Sequence, residues 1–184
     1  MMKIAVFGVA GNDLDAAVYD EARLFGRLLG ERGHELVFGG GQWGVMGAAA
    51  SGAHEAGARV TGVIPEKLRD SEGVFERCDE VIVTRDLRDR MERMAALSDG
   101  FCVMPGGFGT LYELAEVISL NNIGYCKKPV AIANILGYYD RLNDFFEEMF
   151  RRGGAKERCR ASYAFVSDAA GAMRLLEKAC GEEK

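Results

Sequence analysis

Nine consecutive residues carry the densest chemistry in this 184-residue chain: Pro105-Gly106-Gly107-Phe108-Gly109-Thr110-Leu111-Tyr112-Glu113. Glycines at 106, 107 and 109 let backbone amides approach a ligand with no Cβ in the way. A helix starting at that point would also turn its positive end toward an anion such as a phosphate. Thr110 adds a hydroxyl at the expected helix start. Gly106, Gly107, Phe108, Gly109 and Thr110 are therefore candidate substrate-binding positions, and Glu113 is a candidate for acid–base work. The same residues allow a plainer reading. Thr110-Leu111-Tyr112-Glu113 satisfies the capping box S/T-x-x-E, in which Glu113 only caps its own helix.

A second glycine-rich run reads Gly39-Gly40-Gly41-Gln42-Trp43-Gly44-Val45-Met46-Gly47. Gly39, Gly41 and Gly44 satisfy the dinucleotide fingerprint GxGxxG. Against a nicotinamide site, the run follows the second strand and not the first. The acidic residue such a site needs about 20 residues on is represented only by Glu66, past Pro65. No Walker lysine follows, which argues against a P-loop nucleotidase. A tight strand-to-helix turn would explain one or two of these glycines. Three in a row suggest amides converging on a ligand, so Gly41 and Gly44 join the candidates.

The third group lies on the stretch 86–98. At about 100° per residue, Leu87, Met91, Met94, Ala95 and Ser98 share one arc facing a sheet, while Arg88, Asp89, Glu92 and Arg93 point away. Arg90 falls at the rim of the apolar arc. From there it either snorkels to water or reaches across the strand ends toward Glu113.

These residues need a scaffold, and the apolar pattern supplies one. Strands are expected at Lys3–Gly8, His34–Gly39, Ala58–Ile64, Glu80–Thr84, Gly100–Met104, Pro129–Ala133 and Tyr163–Val166. Helices are expected near 14–32, 44–57, 86–98, 109–122, 138–152 and 168–180. Continuous apolar strands alternating with longer amphipathic stretches predict a single α/β domain, doubly wound and Rossmann-like, with about seven parallel strands and helices on both faces. Ligands of such sheets sit beyond the carboxyl ends of the strands, where the loops after Gly8, Gly39, Thr84 and Met104 should meet. The stretch Pro65–Cys78 reads as the longest irregular piece.

Composition narrows the function classes. A hydrophobic share of 48% with 28% charge is that of a globular chain, and one domain of this length needs no disulfide. A net charge of −5 and a pI near 5.2 argue against nucleic-acid binding. Five cysteines, with no two spaced as CxxC, suggest reduced thiols and no metal site. No signal peptide and no apolar run of about 20 residues is present, which points to a cytoplasmic protein without a membrane span.

With these residues in place, the chain resembles the Lonely Guy (LOG) family of cytokinin riboside 5′-monophosphate phosphoribohydrolases, often mislabelled lysine decarboxylases. The signature PGGxGTxxE is matched throughout Pro105–Glu113, and the arginine-bearing helix MHxRKxxM reads Leu87-Arg88-Asp89-Arg90-Met91-Glu92-Arg93-Met94. Gly39–Gly47, Gly62-Val63-Ile64-Pro65, Lys128-Pro129-Val130 and Gly137-Tyr138-Tyr139 extend the likeness over most of the chain. The resemblance implies hydrolysis of the N-glycosidic bond of adenine-type nucleoside 5′-monophosphates, with no cofactor. It implies Arg90 and Glu113 as the catalytic pair, Gly107–Thr110 as the phosphate or ribose cradle, and Glu72 and Ser119 as lesser ligand contacts. In that scheme Arg90 holds Glu113 ionised and in place. The resemblance also implies a homodimer, to which the widely apolar helix 109–122 is suited. Two departures stand out: Arg88 and Met91 replace the family's histidine and lysine, and Gly8-Val9-Ala10-Gly11 lacks the usual serines. They motivate an alternative, a non-catalytic nucleotide or cofactor carrier on the same fold. The decarboxylase label fits poorly, since all seven lysines lie at termini, loops or helix surfaces.

Overall fold

The computed structural model describes residues 1–181, apart from the side chains of residues 70–72. The strands are β1 (Lys3–Phe7), β2 (Glu35–Phe38), β3 (Val60–Pro65), β4 (Glu80–Thr84), β5 (Gly100–Val103), β6 (Val130–Ala133) and β7 (Ala164–Val166). They form one parallel sheet of seven strands in the order β4-β3-β2-β1-β5-β6-β7. The helices are α1 (Ala16–Glu31), α2 (Gly44–Glu55), α3 (Glu66–Glu72), α4 (Leu87–Leu97), α5 (Phe108–Ile123), α6 (Asp140–Arg151) and α7 (Ala169–Gly181). Short 3₁₀ turns occupy Ile135–Gly137 and Glu157–Ser162.

The period-2 alternation of each strand splits the core. Ile4, Val6, Leu36, Phe38, Val60 and Cys102 face α1, α2 and α7. Ala5, Phe7, Val37, Val63, Phe101 and Val103 face α4, α5 and the Phe146 side of α6. The doubly wound Rossmann-like class expected from the sequence is the one observed. The order runs outward from β1 in one direction through β4, and from β5 in the other through β7. The reversal lies between β1 and β5, which opens the ligand crevice at their carboxyl ends.

The structure departs from expectation in three places. The irregular stretch 65–78 contains α3: the fixed φ of Pro65 (−64°) leads into the helix formers Glu66-Lys67-Leu68-Arg69, and Gly73 at φ 71° ends it. Leu87, placed on the buried arc of α4, is 49% exposed, because the apolar contact starts a turn later at Met91. Edge strand β4 leaves Val81 and Val83 half-exposed, so one of its faces is not covered by a helix.

Candidate active site

The two glycine runs meet through Val9, just beyond β1. Its amide donates to the Pro105 carbonyl (3.1 Å), and its carbonyl accepts from the Val45 amide (2.9 Å). Gly44 serves this junction. Its φ is 62°, a Cβ there would stand 2.4 Å from the Val9 oxygen, and its amide donates to Asn12 Oδ1 (2.9 Å). The amide expected to meet a ligand is thus engaged within the fold. A Cβ on Gly106 would come within 2.2 Å of Thr110 Oγ1 and 2.9 Å of the Val9 nitrogen, so this glycine permits the close approach of loop and helix.

The start of α5 corrects the capping reading. The helix begins at Phe108 with Gly107 as its N-cap, and no side chain caps it. Thr110 and Glu113 therefore lie inside the helix, too far along for the reciprocal bonds of a capping box. Among the described residues no acceptor meets the amides of Phe108, Gly109 and Thr110. The loop's carbonyls, by contrast, are tied down. Tyr139 Oη donates to the Met104 oxygen (2.7 Å), and Tyr138 Oη donates to the Gly106 oxygen (3.0 Å). Nothing lies within 4 Å of a Cβ built on Gly107 or Gly109, and neither has a positive φ. The fold has no internal need of glycine at these two positions, so the space they leave faces outward. Phe108, between them, is 92% exposed.

Arg90 does reach Glu113. From α4 its Nη2 meets Glu113 Oε1 of α5 at 2.5 Å, with the two side chains only 12% and 8% exposed. The outcome for Glu113 is the reverse of the expected one. Burial pushes its carboxyl up to about 7, and the attraction of Arg90 offsets only part of that rise, which Glu116 adds to. Arg90 orients this carboxylate without keeping it fully ionised. The buried Nε of Arg90 has no partner among the described residues.

The remaining candidates scatter. Gly41 sits beside Met46, whose Cε would be 3.1 Å from a Cβ there. Ser119 lies six residues beyond Glu113 on α5, where its hydroxyl donates to the Ala115 carbonyl (2.6 Å) and it faces a groove with Phe146, Phe150 and Cys159. The structure does not bring it to the pair. The side chain of Glu72 lies outside the described residues. The bracing by Tyr138 and Tyr139 was not assigned from sequence. Their adjacency to Gly137 was the only local signal.

The family model described as "possible lysine decarboxylase" matches residues 46–176. A probable cytokinin riboside 5′-monophosphate phosphoribohydrolase LOGL1 of Oryza sativa subsp. japonica is 37% identical over 177 residues, covering 96% of this chain and 79% of the relative. The LOG5 enzyme of the same name in Arabidopsis thaliana is 38% identical over 176 residues, covering 96% and 76%. The chain belongs to the LOG family. LOG membership and the decarboxylase description differ in what they ask of the residues, and among the described residues no lysine is seen in contact with Arg90 or Glu113. The molybdenum cofactor carrier protein of Chlamydomonas reinhardtii shares the LOG chain's fold at a TM-score of 0.74, with 25% identity and 98% of each chain covered.

Proposed function

We propose that this protein hydrolyses the N-glycosidic bond of adenine-type nucleoside 5′-monophosphates, including N6-substituted ones, to free base and ribose 5-phosphate. The observation that carries the reading is the buried pair of Arg90 on α4 with Glu113 on α5, the helix whose uncapped amides face the open space at Gly107 and Gly109. The names of the LOG relatives support it. The 5′-phosphate binds the amides of Gly107, Phe108, Gly109 and Thr110 at the positive end of α5. That anchors the ribose, so binding energy far from the reacting carbon holds C1′ against Glu113. As the bond to the base breaks, positive charge grows on C1′ and O4′, as in glycoside cleavage. The Glu113 carboxylate stabilises that charge and takes a proton from the attacking water, the departing base leaves with the bonding pair and gains a proton at nitrogen in balance, and Arg90 fixes the carboxylate's orientation. Gly41 and Glu72 are secondary contacts in this scheme, Gly44 shapes the loop, and Ser119, which bonds within its own helix, takes no part at the pair.

The test is incubation with AMP and with N6-isopentenyl-AMP, followed by chromatography of free base. Release from either supports the proposal, and no release from both by folded protein overturns it. The alternative, a nucleotide or cofactor carrier, is favoured by the likeness to a carrier protein over the whole chain length. It predicts tight AMP binding without turnover. We further place the protein in the cytoplasm as a homodimer. No helix among the described residues is long and apolar enough to cross a membrane. Amphipathic α6 has no fully buried residue and its Phe145 is exposed, as are Ile123 and Tyr125 at the end of α5. A monomer by sedimentation at micromolar concentration would count against the dimer.

A further inference from the structure

The residue that decides where Arg90 can stand is Gly39, at the carboxyl end of β2. We propose that Gly39 is a positioning residue for the reaction: its missing Cβ is the space in which the Arg90 guanidinium lies against Glu113. A Cβ built on Gly39 would stand 2.6 Å from Arg90 Nη2, 3.3 Å from Arg90 Cζ and 2.7 Å from Met46 Sδ. Nη2 is the atom that bonds Glu113 Oε1. The guanidinium therefore lies between Gly39, just past β2, and a carboxylate on α5, in space that a Cβ on Gly39 would enter. Apart from these contacts with Arg90 and Met46, no further demand on Gly39 is visible, since its φ is not positive.

The neighbouring glycines have other reasons, which separates Gly39 from the general run of the loop. Gly40 has φ 81° and packs on Ile64, while Gly41 meets only the terminal methyl of Met46. The triple glycine thus contains one position set aside for the arginine of α4, a helix distant in sequence. The atoms that an alanine at 39 would strike are the far ends of flexible side chains, so the chain still folds. The guanidinium is displaced by about an ångström, and a misplacement of that order costs up to about 100-fold in rate. The inference rests on the hydrolase reading for its rate arm, and not for its titration arm.

Gly39→Ala should lower kcat about 100-fold with KM changed only a few-fold, since the phosphate cradle lies elsewhere. In an Arg90→Ala background, Gly39→Ala should change the rate less than about twofold, because the group it displaces is gone. The activity-independent readout is the Glu113 carboxyl followed by NMR titration, which should move upward by about one unit in Gly39→Ala as Arg90 is displaced. The other groups that interact with Glu113 are Glu116 and Tyr112 on α5 and Tyr139 after β6, and the atoms nearest the added Cβ belong to none of them. A wild-type protein that titrates as described but releases no base sinks the hydrolase reading and leaves this contact standing. The contact itself is overturned by an unmoved Glu113 titration in Gly39→Ala, by full additivity with Arg90→Ala, or by complete rescue with Met46→Ala, which would assign the clash to Met46. Should Gly39→Ala melt early, Gly39→Ala/Arg90→Ala should melt where Arg90→Ala does, and failure to do so also refutes it.

Discussion

Lowering the pH should switch off base release around neutrality, far above where an ordinary glutamate would act. The Glu113 carboxyl, ordinarily near 4.5, is pushed up to about 7 by burial. At pH 6 only about a tenth of it is ionised, against nearly all of an unperturbed glutamate, so the rate should fall close to tenfold per unit below neutrality. The rise from 4.5 to about 7 corresponds to about 3 kcal/mol of desolvation and Glu116 repulsion that Arg90 does not offset. Arg90→Ala removes the attraction that favours the ionised form, so its midpoint should rise by about 1–3 units as its maximal rate falls. The assay is initial rate of base release against pH from 5 to 9, for wild type and Arg90→Ala with the same substrate. The substrate phosphate itself titrates near 6, but equally in both proteins, so the shift between the two curves belongs to the enzyme. A wild-type midpoint below about 5.5, or a downward shift in Arg90→Ala, would refute the assignment of Glu113 as the base.

Stability should follow the same carboxyl with a defined sign. The folded-state value of Glu113 stands above its ordinary one, so its contribution is fully present below about pH 4.5 and is lost as pH rises through about 7. Urea melts should show wild type gaining on Glu113→Gln by up to roughly 3 kcal/mol between pH 8 and pH 4.5, and a gap that widens the other way contradicts this. Gly109→Ala removes a glycine from the first turn of α5 without a clash, and should raise stability by a few tenths of a kcal/mol to about 1 kcal/mol while weakening AMP binding. If calorimetric titration finds AMP affinity unchanged, the cradle is elsewhere. Tyr139→Phe leaves the buried Met104 carbonyl without its 2.7 Å donor, and should cost about 1–3 kcal/mol in denaturant melts.

The parallel sheet and the order of its elements were legible because continuous Val, Ile and Phe runs alternate with amphipathic stretches, and burial on both faces leaves few other arrangements. The pairing of Arg90 with Glu113 was legible only as one of two outcomes, since a helix rim faces both water and a neighbour. Helical periodicity alone could not choose between them. The capping box misled for a local reason: the helix starts at Phe108, and tertiary contact through Glu113 outweighs the reciprocal bond its letters allow. The raised titration of Glu113 was not readable, because its burial depends on tertiary packing that brings α4 and Tyr139 to α5. The short α3 was hidden by the charge of its residues, which suits a loop equally well. The role of Gly39 depends on a side chain more than fifty residues away, and no spacing rule connects them.

The crevice between β1 and β5 has a consequence for the birth of the molecule. The Lys3 amide bonds Asp99 at a sequence separation of 96, and every β1–β5 contact spans a similar distance. At about 5–20 residues per second of synthesis, β1 waits several seconds to tens of seconds before its second neighbour exists. Over that interval one edge of an apolar strand has unpaired amides and carbonyls, open to pairing with other chains. The position proposed to host chemistry in the finished protein is thus an exposed seam on the ribosome, and slowing translation between β1 and Gly100 should increase aggregation more than slowing it after β5 is made.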